Sequence, residues 1–335
     1  MQHYTIATLG SHSALQILKG AKDEGFKTLV VTLEDRENLY SRFSFIDEIV
    51  KIKKYSDFFK IEPQLKKRNC ILIPHGSFVA YLGDEGNKKI STFYYGNKQV
   101  LDWEGDRNAQ YKWLKLANIT LPRQFTPQEK INYPIIVKSY GAAGGIGYFY
   151  AKNKTDFQKK LKSFVPKKYI IQEYVIGVTI YFHYFYSPLN NQLELMSIDK
   201  RYETNVDSLG RIPHVNQQGL VIDPSFVVVG NSPLVVSESL LPQVYAMGER
   251  VVSESKKLMG PKGLYGPFCL ETVITPNKKI YAIEISCRIV AGTNLFVSGS
   301  PYSWLMYNEP MSTGRRIARE IKIAIQKKQL EKIVD

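Results

Sequence analysis

The stretch "FCLETVITPNKKIYAIEISCR" (Phe268–Arg288) decides how this chain is read. Two segments that alternate apolar and polar residues flank "TPNKK", a run of turn formers, and the pattern predicts a β-hairpin. With the turn centred between Asn277 and Lys278, Glu271 and Glu284 face each other across the ladder on one side of the sheet. Like charges so placed are destabilising unless something neutralises them, and their apolar neighbours add a desolvation cost. A divalent cation removes both penalties. With only oxygen donors on offer, Mg2+ or Mn2+ is the natural ion, its shell completed by nucleotide phosphates. A register shifted by one residue, or Lys and Arg partners, would remove the need for a metal. Four residues past Glu284 stands Arg288, placed either to hold a transferring phosphoryl group or to pair with one of the glutamates.

A second informative stretch, "PIIVKSYGAAGGIGYFYA" (Pro134–Ala151), reads as strand, glycine-rich loop and strand, with Lys138 at the end of the first strand. Such loops hold phosphate, yet apart from Lys138 this one carries no positive charge. The chain has neither a Walker GxxxxGK[ST] motif nor a GxGxxG fingerprint, which argues against P-loop and dinucleotide-binding folds. Charge for the phosphates then has to come from elsewhere, with Arg201 and Lys200 as candidates.

The N-terminal third reads differently. "YTIATLG" is a short apolar strand, and "SHSALQILKGAKDEG" a helix with Ser11 or Ser13 as N-cap and Gly25 as C-cap. "KTLVVTL" is the next strand. This β-α-β unit predicts a parallel sheet. A further strand, "CILIPHG", ends beside Ser77. Ligands of parallel sheets bind at the carboxyl ends of strands, where His12 and Ser77 both fall; each can equally be a capping or turn residue. Residues 103–121 read as a helix and turn, "KTDFQKKLKSF" as a helix and "YIIQEYVIG" as a strand. In the closing helix, from about Thr313, Ile317, Ile321, Ala324 and Ile325 form an apolar stripe. Arg315, Arg316 and Arg319 read as its solvated side.

Bulk properties bound the function. At 335 residues the chain accommodates two or three domains. No run of about 18 apolar residues suggests a membrane span, and "MQHYTIATLG" enters a strand without the features of a signal peptide. Cys70, Cys269 and Cys287 lack CxxC spacing and read as buried thiols of a reducing cytoplasm, not zinc ligands. The net charge of +14 favours anionic partners. The lysines are dispersed, however, without an RNP motif, a Cys/His finger or a basic-aromatic tract, so phosphorylated small molecules fit better than nucleic acid. Abundant Lys, Ile and Tyr fit a thermophilic archaeal source. Oligomeric state is left open, a homo-oligomer being compatible.

The elements in this order resemble the ATP-grasp superfamily: an α/β fold with a Rossmann-like N-terminal domain, a small lid domain and a C-terminal ATP-grasp domain. The expected divisions are 1–102, 103–187 and 188–335. Members commonly end their metal strand in E-x-N-x-R; here "EISCR" has Ser286 in place of Asn. The longer strings "TIATLGSHSALQILKGAKDEGF", "PHGSFVAY", "QEYVIG", "DKRYETNVD", "GNSPLVV" and "GPFCLE" resemble, over nearly the whole chain, the archaeal formate-dependent 5-formaminoimidazole-4-carboxamide ribonucleotide (FAICAR) synthetases. That resemblance implies a cytoplasmic ligase of purine biosynthesis. ATP converts formate to formyl phosphate, and the amine of 5-aminoimidazole-4-carboxamide ribonucleotide (AICAR) attacks it, giving FAICAR, ADP and phosphate.

By motif, the resemblance implies that His12, Ser77 and Asn231 contact AICAR, His12 as a base or as a binding group. It implies that Lys138, Gly144, Gly145, Gln172, Glu173, Val175 and Glu203 hold ATP. Glu271 and Glu284 would hold Mg2+ or Mn2+, and Arg288 would be catalytic. Another ATP-grasp carboxylate–amine ligase and a non-catalytic nucleotide-binding paralogue are the alternatives. The first is motivated by Ala143 and Ile146, which stand where relatives often carry basic residues.

Overall fold

The opening strand "TIATL" is buried along its whole length, as a strand covered on both faces of a parallel sheet must be. The computed structural model describes residues 4–126, 129–140, 147–165, 168–203, 209–217 and 227–335. In it the first strands are β1 (Thr5–Leu9), β2 (Lys27–Leu33), β3 (Glu48–Ile52), β4 (Cys70–Leu72) and β5 (Phe93–Tyr94). They form an all-parallel sheet in the order β3-β2-β1-β4-β5. The winding direction reverses between β1 and β4, which opens a crevice outside their carboxyl ends. Gly25, at φ +89°, ends the Ala14–Asp23 helix as expected. Ser13 occupies the N-cap position, but its hydroxyl makes no capping bond.

Four short antiparallel strands follow: β6 (Gln124–Phe125), β7 (Ile135–Ser139), β8 (Tyr148–Ala151) and β9 (Tyr169–Glu173), ordered β6-β9-β7-β8. Phe125, Ile135, Val137, Ala151 and Ile171 give this lid a small core separate from the main one. Gly144 and Gly145, with Ala143 and Ile146, lie outside the described residues.

The third sheet is antiparallel. Its strands are β10 (Val178–Ser187), β11 (Gln192–Glu203), β12 (Val228–Pro233), β13 (Gly266–Ile274) and β14 (Ile280–Ser286), in the order β12-β11-β10-β13-β14. Strand β10 pairs along its length with β11 and β13. The lid sheet ends at Glu173, and β10, which falls within the expected middle segment 103–187, pairs along its length with strands of the third sheet. Phe182, Ile198, Leu270 and Ile285 point from this sheet into the main core. The other face carries the polar residues considered below.

The first and third sheets share that core, which runs from Ile6, Ile17 and Ile71 to Phe268, Ile317 and Ile321. The Ala14–Asp23 and Thr313–Gln326 helices cross on glycines. A Cβ at Gly20 would lie 2.1 Å from the Arg315 nitrogen, and one at Gly314 would lie 2.3 Å from the Gln16 carbonyl oxygen. This crossing also corrects the reading of the terminal arginines. Arg316 is only 3% exposed; its guanidinium donates to Glu194 at 2.8 Å and to Glu320 at 2.8 Å. Arg315 and Arg319 both donate to Glu24 on the first domain. Arg316 is thus held in the interior by Glu194 on β11 and by Glu320 on its own helix, whereas Arg315 and Arg319 are part-buried against the first domain. The C-terminus closes the same junction, Asp335 and Tyr94 exchanging backbone hydrogen bonds. Two domains thus form one body, and the lid packs chiefly on itself.

Candidate active site

Glu271 on β13 and Glu284 on β14 are direct partners across the ladder. The route to that pairing differs from the expected one. The turn is a residue tighter at its centre, pairing Ile274 with Ile280 and holding Lys278 at φ +61°. A β-bulge between Glu271 and Thr272 then inserts Ile283 as the extra residue and restores the pairing. Without the bulge Glu271 would face Ile283, and Glu284 would point to the other side of the sheet. Bulges re-aim side chains in this way beside active sites.

Three cations surround the pair. The Arg201 guanidinium lies 3.7 Å from the centre of the Tyr181 ring and donates to Glu271 at 3.2 Å. Arg107 donates to Glu284 at 3.4 Å and to the Ser139 carbonyl at 2.9 Å. Burial raises the Glu271 carboxyl above its usual range; Arg201 opposes that shift and the Glu284 charge adds to it. Lys138, at the lid edge, is lowered to about 8, mainly by burial, while Glu284 and Glu271 hold it up. The paired carboxylates, an all-oxygen donor set with one acid kept from ionising freely by burial and its neighbour, fit a hard divalent cation.

A cleft of about 340 Å³ opens beside the pair, between the lid and the third sheet. Lys138 and Gln172 line it from the lid, Ala282 and Ile283 from β14, and Arg107 and Tyr111 from the Arg107–Leu116 helix. The Gln172 side-chain oxygen is buried without a partner among the described residues. Glu173 is engaged at the lid edge, its carboxylate accepting from the Arg123 N–H at 3.1 Å. Val175 lies in the connector from lid to β10, and Glu203 ends β11.

His12 and Ser77 lie at the crevice where β1 and β4 end, as the strand order requires. His12 holds φ +30°, a sparsely populated conformation for a residue with a side chain, and is exposed. Partial burial and the charges of Arg288 and Arg36 keep its pKa below the usual histidine value. Ser77 bonds Ser11, which in turn bonds Tyr81, both at 2.9 Å. Tyr81 stacks on Tyr55 at 3.7 Å, and Arg36 donates to the Tyr55 hydroxyl at 3.2 Å. His75 beside them is buried, its Nε2 bonded to the Leu9 carbonyl and its Nδ1 accepting from the Ser77 N–H; burial lowers it to about 4, so it is neutral.

Arg288 pairs with neither Glu271 nor Glu284. It forms an ion pair with Glu104 and stands close to Gly76 and His12, where the third domain meets the crevice. Asn231 lies on β12 directly opposite Arg201, on the sheet face of Glu271.

The sequence reading missed Arg107, Arg36, Tyr55 and Tyr81, and weighed Arg201 only as a general source of charge. Arg107 and Arg36 come from unrelated helical segments and meet their partners across 177 and 19 residues. No local spacing records such meetings. Arg201 had a signal: it lies two residues after Asp199 in the alternating strand "IDKRY", so both project to one face.

Comparison with known proteins shows what the chain is similar to. A family model described only as a domain of unknown function (DUF1297) matches residues 149–335. Another, described as a protein of unknown function (DUF1246), matches residues 6–125. The chain is 53% identical over 336 residues to the 5-formaminoimidazole-4-carboxamide-1-(beta)-D-ribofuranosyl 5'-monophosphate synthetase of Pyrococcus horikoshii, covering 98% of this chain and 99% of that one. It is 49% identical, with the same coverage, to the protein of that name from Saccharolobus solfataricus. Among solved structures, an IMP biosynthesis protein PurP from Thermococcus kodakaraensis superposes with a TM-score of 0.78 at 32% identity, over 98% of this chain and all of that one. An N5-carboxyaminoimidazole ribonucleotide synthetase bound to ADP superposes with a TM-score of 0.66 at 14% identity, over 95% of this chain and 76% of the other; it shares the ATP-grasp fold.

Proposed function

The chain belongs to the 5-formaminoimidazole-4-carboxamide ribonucleotide synthetase family, and from that premise we propose how its cleft and crevice make FAICAR from AICAR, formate and ATP. The observation that carries the reading is the Glu271–Glu284 pair, set between the lid cleft and the crevice of the parallel sheet. ATP occupies the cleft, its adenine against Gln172 and the connector at Glu173 and Val175, its ribose near Glu203. Its phosphates reach Lys138. Mg2+ or Mn2+ held by Glu271 and Glu284 would draw charge from the phosphate oxygens.

AICAR lies along the crevice with its phosphate end at Arg36, Ser11, Ser77 and His12, and its amine toward Asn231. Arg36 supplies a fixed charge, and hydroxyls from two strand ends complete an anion site. His12 is then a binding group, because it stands at the end of the substrate away from the carboxylate pair.

Formate is a poor electrophile because its carbon bears no good leaving group. Attack of a formate oxygen on the γ-phosphorus breaks the bond to ADP and gives formyl phosphate. The protein's part is to align the reactants and offset charge on the γ-phosphoryl oxygens through Lys138 and Arg107. The AICAR amine next attacks the formyl carbon, the C–O bond breaks, and phosphate departs with its electron pair and takes up the proton released by nitrogen. Formyl phosphate hydrolyses readily, so the lid must cover it. Arg288, held at the junction by Glu104, closes the crevice side. Free thiols at Cys70, Cys269 and Cys287 suit a reducing cytoplasm, and no described helix is long and apolar enough to cross a membrane.

The test is direct: incubate the protein with ATP, Mg2+, formate and AICAR and follow FAICAR by mass, omitting each component in turn. ATP consumption indifferent to formate and AICAR would reject the reading.

A further inference from the structure

Behind Asn231 lies a buried polar chain that the reaction as described does not use. Asp199, on β11, is fully buried and His183, on β10, is 1% exposed. His183 Nε2 contacts one Asp199 oxygen at 2.5 Å. The other Asp199 oxygen accepts from the side-chain nitrogen of Asn231 at 2.7 Å. Gly292 packs against the same carboxylate so closely that a Cβ there would lie 2.4 Å from it. The group lies on the sheet face away from the main core, closed off from solvent, yet two of its members are ionisable. Burying such groups is costly unless each hydrogen bond is well used.

The chain has a direction. Hydrogen bonds from His183 and Asn231, with the nearby Arg201 charge, hold the Asp199 carboxyl below its usual range against the effect of burial, so both its oxygens act only as acceptors. Asn231 must turn its NH2 inward to meet one of them. Its Oδ1 therefore faces outward, and no donor among the described residues takes it. Asn231 stands opposite Arg201, whose guanidinium reaches Glu271. The outward oxygen thus opens on the same space as the carboxylate pair, where the substrate's reacting end must lie.

We propose that Asp199, oriented by His183, is a positioning residue that fixes Asn231 with its carbonyl oxygen toward the attacking amine of AICAR. The oxygen accepts one N–H of that amine. As the nitrogen lone pair bonds the formyl carbon, positive charge grows on the nitrogen and the N–H becomes a stronger donor, so this bond tightens in the transition state. The amine, weakened by conjugation with the ring, is also held with its lone pair toward the formyl group. The inference rests on the FAICAR reading and concerns its second half-reaction alone.

The isosteric change Asp199→Asn separates it from a structural role. The amide introduced by that change would keep its oxygen on the His183 N–H and present its NH2 to Asn231, forcing Asn231 to reverse and offer a donor to the amine. The expected result is formate-dependent ADP formation within about threefold of wild type but FAICAR formation reduced roughly 10- to 100-fold, so that ADP exceeds FAICAR. This range is that of one hydrogen bond to a group that carries charge. The AICAR KM should move less than kcat. The double variant Asp199→Asn/Asn231→Asp reverses the donor and acceptor between the two positions, returns an oxygen to the amine, and should recover most of the lost coupling. Equal loss of both half-reactions in Asp199→Asn, wild-type coupling in that variant, or no recovery in the double variant each overturns the proposal. Slow solvent exchange of the Asn231 side-chain amide protons in the wild type, lost in Asp199→Asn, reports the inward NH2 independently of substrate; fast exchange in both also overturns it. A wild-type protein that makes no FAICAR but shows this exchange difference would reject the substrate assignment while leaving the buried chain as described.

Discussion

Substitution of each member of the carboxylate pair by Gln should abolish FAICAR formation in both variants yet affect the free protein unequally. Carboxylates facing across a ladder, roughly 5 Å apart, repel by about 3 kcal/mol at an effective dielectric constant near 20. Glu284→Gln relieves this repulsion but gives up the contact with Arg107 at 3.4 Å. That attraction is about 5 kcal/mol gross at the same dielectric constant. Glu284 is 31% exposed and Arg107 19%, however, and solvent screens both effects. The two oppose each other, so the free variant should stay within about 1 kcal/mol of wild type.

Glu271→Gln also relieves the repulsion, but strips the carboxylate from Arg201, which is 18% exposed and stacked on Tyr181. Leaving that charge without its anion should cost about 3 kcal/mol. Thermal melts of wild type and both variants, with and without Mg2+ and ADP, measure the difference. Wild type at a hundred times the dissociation constant should gain about 2.7 kcal/mol from ligand, and each variant should lose most of the Mg2+-dependent part. A Glu284→Gln protein that keeps turnover and the full Mg2+-dependent shift would refute the metal site. A Glu271→Gln protein as stable as Glu284→Gln would refute the reasoning about Arg201.

The other predictions address different parts of the molecule. In the proposed function Lys138 binds phosphate as a cation, and burial lowers it to about 8 in the free protein, so kcat/KM for ATP should fall as pH rises through that value. Glu284→Gln, which removes a charge that holds the lysine up, should move the fall in nucleotide affinity to lower pH, as titration calorimetry with ADP will show. Gly20→Ala should destabilise the protein by about 2–3 kcal/mol through overpacking at the helix crossing, although helix propensity alone predicts a gain of about 1 kcal/mol; a raised melting temperature would show that the helices separate freely. Arg36→Ala should raise the AICAR KM by roughly 10- to 100-fold, the worth of a charged hydrogen bond, with kcat changed little. His12→Ala should follow the same pattern, and a collapse of kcat at unchanged KM would assign His12 to proton transfer instead.

Much of this architecture could be read locally. Alternation in "FCLETVI" and "IYAIEIS" shows which residues share a face, because side chains in a strand alternate with period two whatever the rest of the chain does. In "TIATL" the apolar Ile6, Ala7 and Leu9 mark a strand, and all five residues are buried, Thr5 and Thr8 included. A helix between two strands implies parallel pairing, and so places His12 and Ser77 on one rim. The glutamate pairing was anticipated although the turn is centred differently, because the bulge at Ile283 offsets the difference; "TPNKK" marks the turn, but neither its exact centre nor the bulge had a legible signature.

Local order alone says which residues are apolar, which turn and which alternate: the identity of the elements and the chemistry each can present. The tertiary structure decided which charges meet. Arg201 settles on Glu271, Arg107 on Glu284, Arg288 on Glu104 and Arg316 in the interior on Glu194 and Glu320. An arginine carries the same local pattern whether it is solvated or buried. Its partner is chosen by how distant elements pack, here by a helix crossing that only glycine permits and by a strand that belongs to the third sheet. Asp199 makes the same point: as a letter in "SIDKRYE" it is one more charge in a strand, and only the closure of His183, Asn231 and Gly292 around it gives that charge a direction.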